Sequence, residues 1–243
     1  MSGLGVTGLC VDRGGRRVLD DVSFTVPSGA WAGLVGVNGA GKTTLLKALA
    51  GRLPISEGEV RLDGEILRRP RRQAQLVGLS VGGDRLPDAP RVDRLVAEVA
   101  RAHGAEAWPS TLSQLQKALA LTEIAEDLVA VLSTGQRQRV GLYLAFLGAP
   151  RLVLLDEPFN GLDPMIAFDL KRALKALAES GLMILTAMHD LITVSLHCDT
   201  GLLLSNGRVA EAFGPERLQA SRQDPGAFEA QVLSQWRQVE RRS

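Results

Sequence analysis

Cysteine is nearly absent from this sequence of 243 residues. Cys10 and Cys198 are the two it has, far apart and in no C-x-x-C pair. That excludes a disulfide framework and a cysteine zinc site, and makes a reducing compartment the simpler setting. Charge of one sign is lacking too: 28 Lys and Arg face 27 Asp and Glu, for a net charge of +1. No global field draws such a chain to nucleic acid, so no nucleic-acid partner is expected. Long apolar runs are missing as well. The most apolar stretch, Leu142 to Leu155, is interrupted by Gly148, Pro150 and Arg151 and falls short of the ~20 residues that span a bilayer. Met1 to Asp12 has neither the basic start nor the apolar segment of a secretory signal. Aromatic residues make up only 4%, and none interleaves with the basic cluster Arg68-Arg69-Pro70-Arg71-Arg72, which reads as a solvated face.

What is present suits one α/β domain large enough to bury a core, with 45% hydrophobic and 23% charged residues. The organising stretch is Gly36-Val37-Asn38-Gly39-Ala40-Gly41-Lys42-Thr43. It fits G-x-x-x-x-G-K-[ST]: glycines let successive N–H groups turn inward around an anion, and a helix N-terminus adds its partial positive charge. Lys42 would reach the β- and γ-phosphates, and the Thr43 hydroxyl would coordinate Mg²⁺. The context agrees, with Trp31 to Val35 reading as a buried strand and Leu45, Leu46, Leu49 and Ala50 as one helical face, stopped by Gly51.

Before the loop, Gly14-Gly15 joins two strand-like segments, and Val22, Phe24 and Val26 alternate with polar residues as a half-buried strand does. Asp63-Gly64 and Asn206-Gly207 each mark a tight hairpin. A strand is expected over Leu76 to Val81, and helices from Val92, over Leu112 to Leu121 and over Glu123 to Val131. Ser133-Thr134-Gly135-Gln136 precedes another helix and has the chemistry of an N-cap. Leu152-Val153-Leu154-Leu155 is a continuous apolar run of buried parallel-strand type that delivers Asp156 and Glu157 at its C-terminal end. In open α/β sheets ligands bind beyond such strand ends. There one carboxylate can hold Mg²⁺ and the other can act on an attacking water. Asp163-Pro164 starts the next helix as N-cap and first residue. His189 lies just past the strand Leu182 to Thr186, and Phe228, Val232 and Trp236 give the tail a helical stripe.

Together these motifs resemble the nucleotide-binding subunit of an ATP-binding cassette (ABC) transporter, from about residue 4 to 213. Leu132 to Gln136 resembles the ABC signature, with Thr134 where glycine is commonest; Gly161-Leu162-Asp163 resembles the D-loop and His189 the switch histidine. The resemblance implies an α/β fold with a P-loop NTPase (RecA-like) core, an N-terminal antiparallel β subdomain and a helical subdomain carrying the signature. It divides a single domain at about 1–83 (β subdomain and phosphate loop), 84–141 (helical subdomain), 142–213 (rest of the core) and 214–243 (tail). It implies ATP and Mg²⁺ as ligands, with Gly36 to Thr43 and Thr44 on the nucleotide and with Thr43 and Asp156 on the metal. Glu157 would polarise the water and His189 would contact the γ-phosphate. Two cassettes, as a homodimer or heterodimer, would pack head to tail, with Ser133, Thr134, Gly135 and Gln136 facing the opposing ATP and Asp163 at the dimer contact. A separate transmembrane permease is the implied partner, at the cytoplasmic face of the cell membrane. The Ser-Thr-Gly signature looks more like export-type, multidrug-like systems, and the alternative from another class is a soluble ABC ATPase acting as an assembly factor, for example in iron–sulfur cluster assembly. Two positions depart from the family's pattern. Val11-Asp12-Arg13 stands where an aromatic residue would stack on adenine, and Gly82-Gly83-Asp84 where a glutamine is usual, Gln75 lying too early on the expected strand to replace it.

Overall fold

The computed structural model describes residues 2–68, 70–80 and 82–240. Two sheets organise it. Strands β1 (Gly3–Arg13), β2 (Arg16–Pro27), β4 (Glu57–Leu62) and β5 (Glu65–Ile66) form an antiparallel sheet in the order β2-β1-β4-β5. Alternation fixes which side faces in: Val22, Phe24 and Val26 of β2 are buried while Ser23 and Thr25 are exposed, and Val6 of β1 lies opposite Phe24 on one side and Val60 on the other. The tight turns form where their chemistry places them, Asp63-Gly64 with φ of 50° and 82° and Asn206-Gly207 with 49° and 74°.

The second sheet comprises β3 (Trp31–Val35), β6 (Val77–Leu79), β7 (Leu152–Asp156), β8 (Met183–Met188), β9 (Thr200–Ser205) and β10 (Arg208–Phe213), in the order β10-β9-β3-β8-β7-β6. All neighbours run parallel except β10, which pairs antiparallel with β9 at the edge. Both faces are covered, as a parallel sheet requires. Ala32, Leu34, Leu152, Leu154, Met183 and Leu185 share a core with helix α1 (Lys42–Leu49) and the antiparallel sheet. The alternate residues Trp31, Val35, Val153, Leu155 and Ile184 share the other core with the helices. Those are α3 (Val92–Ala102), α4 (Ser113–Ala118), α5 (Thr134–Leu144), α6 (Pro164–Glu179), α7 (Leu191–His197), α8 (Pro215–Ser221) and α9 (Pro225–Glu240), with α2 (Pro70–Leu76) preceding β6. Phe228, Val232 and Trp236 of α9 are buried, and the Trp236 Nε1 donates to Ser205 Oγ at 3.1 Å, so the tail helix docks on the domain.

The structure corrects three expectations. The segment Glu123 to Val131 is not a helix; it holds short 3-10 turns at Leu121–Ile124 and Val129–Val131. Its backbone pairs instead with residues 88–93, Asp93 N donating to Ala125 O at 2.9 Å, Val92 N to Asp127 O at 3.0 Å and Val129 N to Pro90 O at 3.0 Å. The expected helix over Leu112 to Leu121 is confined to α4, between 3-10 turns at Ser110–Leu112 and Leu121–Ile124. The strand expected over Leu76 to Val81 is shorter, because Pro70 and the helix-forming residues after it make α2 run to Leu76. Gln75 therefore sits exposed on α2, and Val81 lies outside the described residues. Of the basic cluster, Arg68 and Arg72 are exposed and pair with Glu59 (3.7 Å) and Glu65 (3.1 Å), while Arg69 lies outside the described residues.

Candidate functional site

The loop after β3 turns where only glycine fits. A Cβ on Gly36 would stand 2.5 Å from the Leu204 carbonyl oxygen, and one on Gly41, at φ 106°, 2.7 Å from Leu19 Cδ2. Gly39 adopts φ 85°. Ala40 turns its methyl inward, 3% exposed, and its carbonyl accepts from Gly207 N at 3.1 Å, tying the loop to the β9–β10 turn. Val37 and Asn38 stay exposed. Helix α1 then starts at Lys42 with Gly41 as its cap and no side-chain acceptor for its first N–H groups, an arrangement that suits an anion.

Lys42 is 7% exposed, and its Nζ donates to Gly36 O at 2.6 Å and Val37 O at 3.4 Å and lies 3.5 Å from Glu157 Oε1. The Thr43 hydroxyl donates to Asp156 Oδ2 at 2.7 Å. Thr44 is buried. A cavity of about 230 Å³ opens over these groups, with Val18 among its lining residues as well as Asp156 and Glu157. Asp156 ends β7, and its backbone N–H donates to Ser80 Oγ at 3.0 Å. Glu157 follows in the left-handed region at φ 48°, a conformation that costs a non-glycine residue of order 1 kcal/mol and is held here by Glu157 N donating to Ala187 O at 2.9 Å. Its Oε2 lies 3.0 Å from His189 Nδ1 and accepts from Asn160 Nδ2 at 3.5 Å. Two hard oxygen donors, the Thr43 hydroxyl and the Asp156 carboxylate, thus stand side by side at the cavity wall and fit magnesium.

Loop, carboxylates and histidine converge because β3, β8 and β7 are parallel neighbours and end together. Ser133 to Gln136 and Asp163 do not join them. Ser133 caps α5 in a reciprocal pair, Gln136 N donating to its Oγ at 3.3 Å and Ser133 N to Gln136 Oε1 at 2.8 Å. Asp163 caps α6 through Met165 N at 2.8 Å. The α5 cap packs onto the turn before α6, a Cβ on Gly135 falling 2.7 Å from Gly161 O. Ser133, Gly135, Gln136 and Asp163 line a separate cavity of about 290 Å³, and Thr134 is exposed beside it.

Sequence reasoning missed Val18, Ser80 and Asn160. Asn160 carried a signal in its three-residue spacing from Glu157; Ser80 and Val18 carried none, since strand pairing alone brings them to the site. Arg13 is exposed at the first hairpin. Its neighbour Asp12 is held below the usual carboxylate range by a hydrogen bond from Arg17, whose Nε lies at 3.1 Å and whose Nη2 also meets Glu57 at 2.6 Å.

Comparison with known proteins gives a consistent result. A family model described as "ABC transporter" matches residues 19–160. The chain is 35% identical to the hemin import ATP-binding protein HmuV of Pseudomonas entomophila (strain L48), over 96% of this chain and 94% of that one. It is 32% identical to the lipopolysaccharide export system ATP-binding protein LptB of Escherichia coli (strain K12), over 84% of this chain and 88% of that one. Against two uncharacterised ABC transporter ATP-binding proteins of Bacillus subtilis (strain 168) it spans only 50% and 65% of the relative's length. Among solved structures, an ATP-binding subunit of an ABC transporter superposes with a TM-score of 0.82 at 27% identity, over 96% of this chain and 99% of that one.

Proposed function

The chain belongs to the ABC transporter ATP-binding family, and from that premise we propose that it binds and hydrolyses ATP between two cassettes and so powers a separate transmembrane permease from the cytoplasmic face. The observation that carries this reading is the convergence of Lys42, Thr43, Asp156 and Glu157 on one cavity, with His189 3.0 Å from the Glu157 carboxylate. Lys42 and the first N–H groups of α1 take the β- and γ-phosphates. Thr43 and Asp156 hold magnesium, which when bound neutralises phosphate charge. Glu157 orients a water in line with the γ-phosphorus and accepts its proton as the new P–O bond forms and the bridging bond to ADP breaks. His189 fixes the Glu157 carboxylate and contacts the γ-phosphate. Phosphoryl transfer asks for this positioning and charge placement more than for covalent chemistry.

The second cavity, at Ser133 to Gln136 and Asp163, supports a shared site, since a second cassette can set the N-terminus of α5 against the γ-phosphate. No helix among the described residues is long and apolar enough to cross a membrane, which accords with a permease supplied by another chain. Relatives named for hemin import and for lipopolysaccharide export match at similar identity, so the reading stops at ATP-driven transport. Equilibrium titration with ATP tests it: Lys42→Ala should weaken binding at least about tenfold, because the phosphate charge loses its buried partner. Unchanged affinity would show that the phosphates lie elsewhere.

A further inference from the structure

Strands β6 and β7 run parallel, with Leu79, the last residue of β6, opposite Leu154. One residue further on, Ser80 N still donates to Leu154 O at 2.9 Å, as the ladder requires. The next rung is made by a side chain. Asp156 N donates to Ser80 Oγ at 3.0 Å, so the hydroxyl is fixed beside the residue that ends β7 and whose carboxylate accepts from Thr43 at 2.7 Å. Thr43 and Asp156 are common to the phosphate cavity and to a neighbouring cavity of about 510 Å³, and Ser80, half-buried, lines the latter with them.

A hydroxyl has one O–H donor and two acceptor lone pairs. The Asp156 N–H takes one lone pair of Ser80 Oγ, and the other has no donor among the described residues. Thr43 meets Asp156 Oδ2, which leaves Oδ1 likewise without a donor among the described residues. Magnesium held through one or two protein oxygens keeps several waters, and those waters donate their hydrogens outward. Ser80 Oγ is an acceptor held in place for one of them, on the side of Thr43 and Asp156 that faces the larger cavity.

We propose that Ser80 is a positioning residue for the magnesium edge of the nucleotide site. Its hydroxyl fixes Asp156 through that residue's backbone N–H, and its second lone pair accepts from a water on the cation. The inference rests on the proposed magnesium–ATP occupancy of the loop. Outer partners of metal ligands typically change metal affinity about 10–100-fold when removed. A hydroxyl adds no charge, so its loss acts on the metal and leaves the attraction between the loop and the phosphates as it was.

The test is titration of the full chain with Mn²⁺ in the presence of a non-hydrolysable ATP analogue, with free Mn²⁺ read by electron paramagnetic resonance. Ser80→Ala should weaken nucleotide-dependent Mn²⁺ binding about tenfold, while analogue affinity in excess chelator stays at the wild-type value. Ser80→Thr and Ser80→Val introduce side chains of the same shape that differ in the hydroxyl. Ser80→Thr should keep wild-type Mn²⁺ affinity, and Ser80→Val should show the loss seen in Ser80→Ala. Wild-type Mn²⁺ affinity in Ser80→Ala, or equal affinities in Ser80→Thr and Ser80→Val, would overturn the role of Ser80. So would a parallel loss of analogue affinity in chelator, the mark of a distorted loop. A wild-type chain that binds no analogue would instead overturn the nucleotide reading, and this inference with it.

Discussion

Glu157→Gln removes one negative charge from the centre of the site and almost no volume. The carboxylate lies 3.5 Å from Lys42 Nζ and 3.0 Å from His189 Nδ1, and an amide of the same length can keep the contacts from Asn160 and His189. If Glu157 accepts the proton of the attacking water, its loss removes the contribution of a positioned general base, about 10²–10⁴-fold. A thousandfold fall is ~4 kcal/mol in the barrier. Equilibrium ATP affinity should not fall, because one negative charge fewer faces the phosphates. Single-turnover hydrolysis should therefore collapse while ATP binding persists, and sedimentation velocity with ATP should show a dimer that the wild-type chain holds only briefly. Glu157→Gly separates chemistry from folding. At φ 48° glycine relieves about 1 kcal/mol of backbone strain, a rise of roughly 2–4 °C in Tm for a chain of this size, while turnover still falls. Turnover in Glu157→Gln within about fivefold of wild type, well short of the loss expected of a general base, would remove Glu157 from the proton-transfer role. A Tm lowered in step with activity in Glu157→Gly would show that the residue acts through stability.

Gly36→Ala puts a Cβ 2.5 Å from the Leu204 carbonyl, a backbone group that cannot step aside. It should cost about 1–3 kcal/mol in denaturant unfolding and weaken ATP binding, measured by titration calorimetry. His197 packs against Trp31 with ring centroids 6.1 Å apart, and burial first, then the charges of Lys171 and Arg222, lower its pKa below the ordinary 6.5. The unfolded chain then takes up the proton first as pH falls. The stability His197 contributes is complete above 6.5 and is lost as pH drops from there through the folded value. Urea midpoints between pH 7.5 and 5 should accordingly fall less steeply in His197→Gln. Trp236→Ala removes a ring that is 8% exposed together with its bond to Ser205, and should cost about 3–5 kcal/mol by urea unfolding; a loss below roughly 1 kcal/mol, the scale of an ordinary surface change, would mean that α9 does not dock in solution.

Local signals carried most of the fold, because the devices that make it are local. The alternation of Val22, Phe24 and Val26, the unbroken apolar run of β7 and the two positive-φ turns each act within a few residues. The middle of the chain obeys another rule. Leu128 and Val131 look like part of a helical stripe, yet they are 46% and 70% exposed and only Val129 between them is fully buried. What shapes that segment is its backbone pairing with residues 88–93, more than thirty positions earlier, which no periodicity records. The site divides the same way. Each residue of the loop could be named from its motif, whereas the Thr43–Asp156 bond joins positions 113 apart and the Glu157–His189 contact positions 32 apart. Those follow only once β3, β8 and β7 are known to be parallel neighbours.

The division of the site into two cavities bears on what one chain can do alone. On the proposed reading Lys42, Thr43, Asp156 and Glu157 would supply charge, metal ligands and a base on one side of the phosphates, while Val37 and Asn38, which line the same cavity, are exposed. A γ-phosphate bound there would keep water on the face where its charge develops during transfer, and water-exposed donors stabilise that charge far less than preorganised ones. The missing donors exist in the same chain, at the start of α5. Ser133 and Gln136 satisfy each other, and no side-chain cap takes up the N–H groups of Thr134 and Gly135, which leaves them to a ligand. Ser133, Gly135 and Gln136 line a cavity with Asp163 that shares no residue with the first, so a single copy does not bring both halves to one phosphate. The economical way to complete the site is a second cassette in the reciprocal orientation. On the proposed reading, binding of ATP would favour the dimer and hydrolysis would release it, giving a permease two shapes to follow.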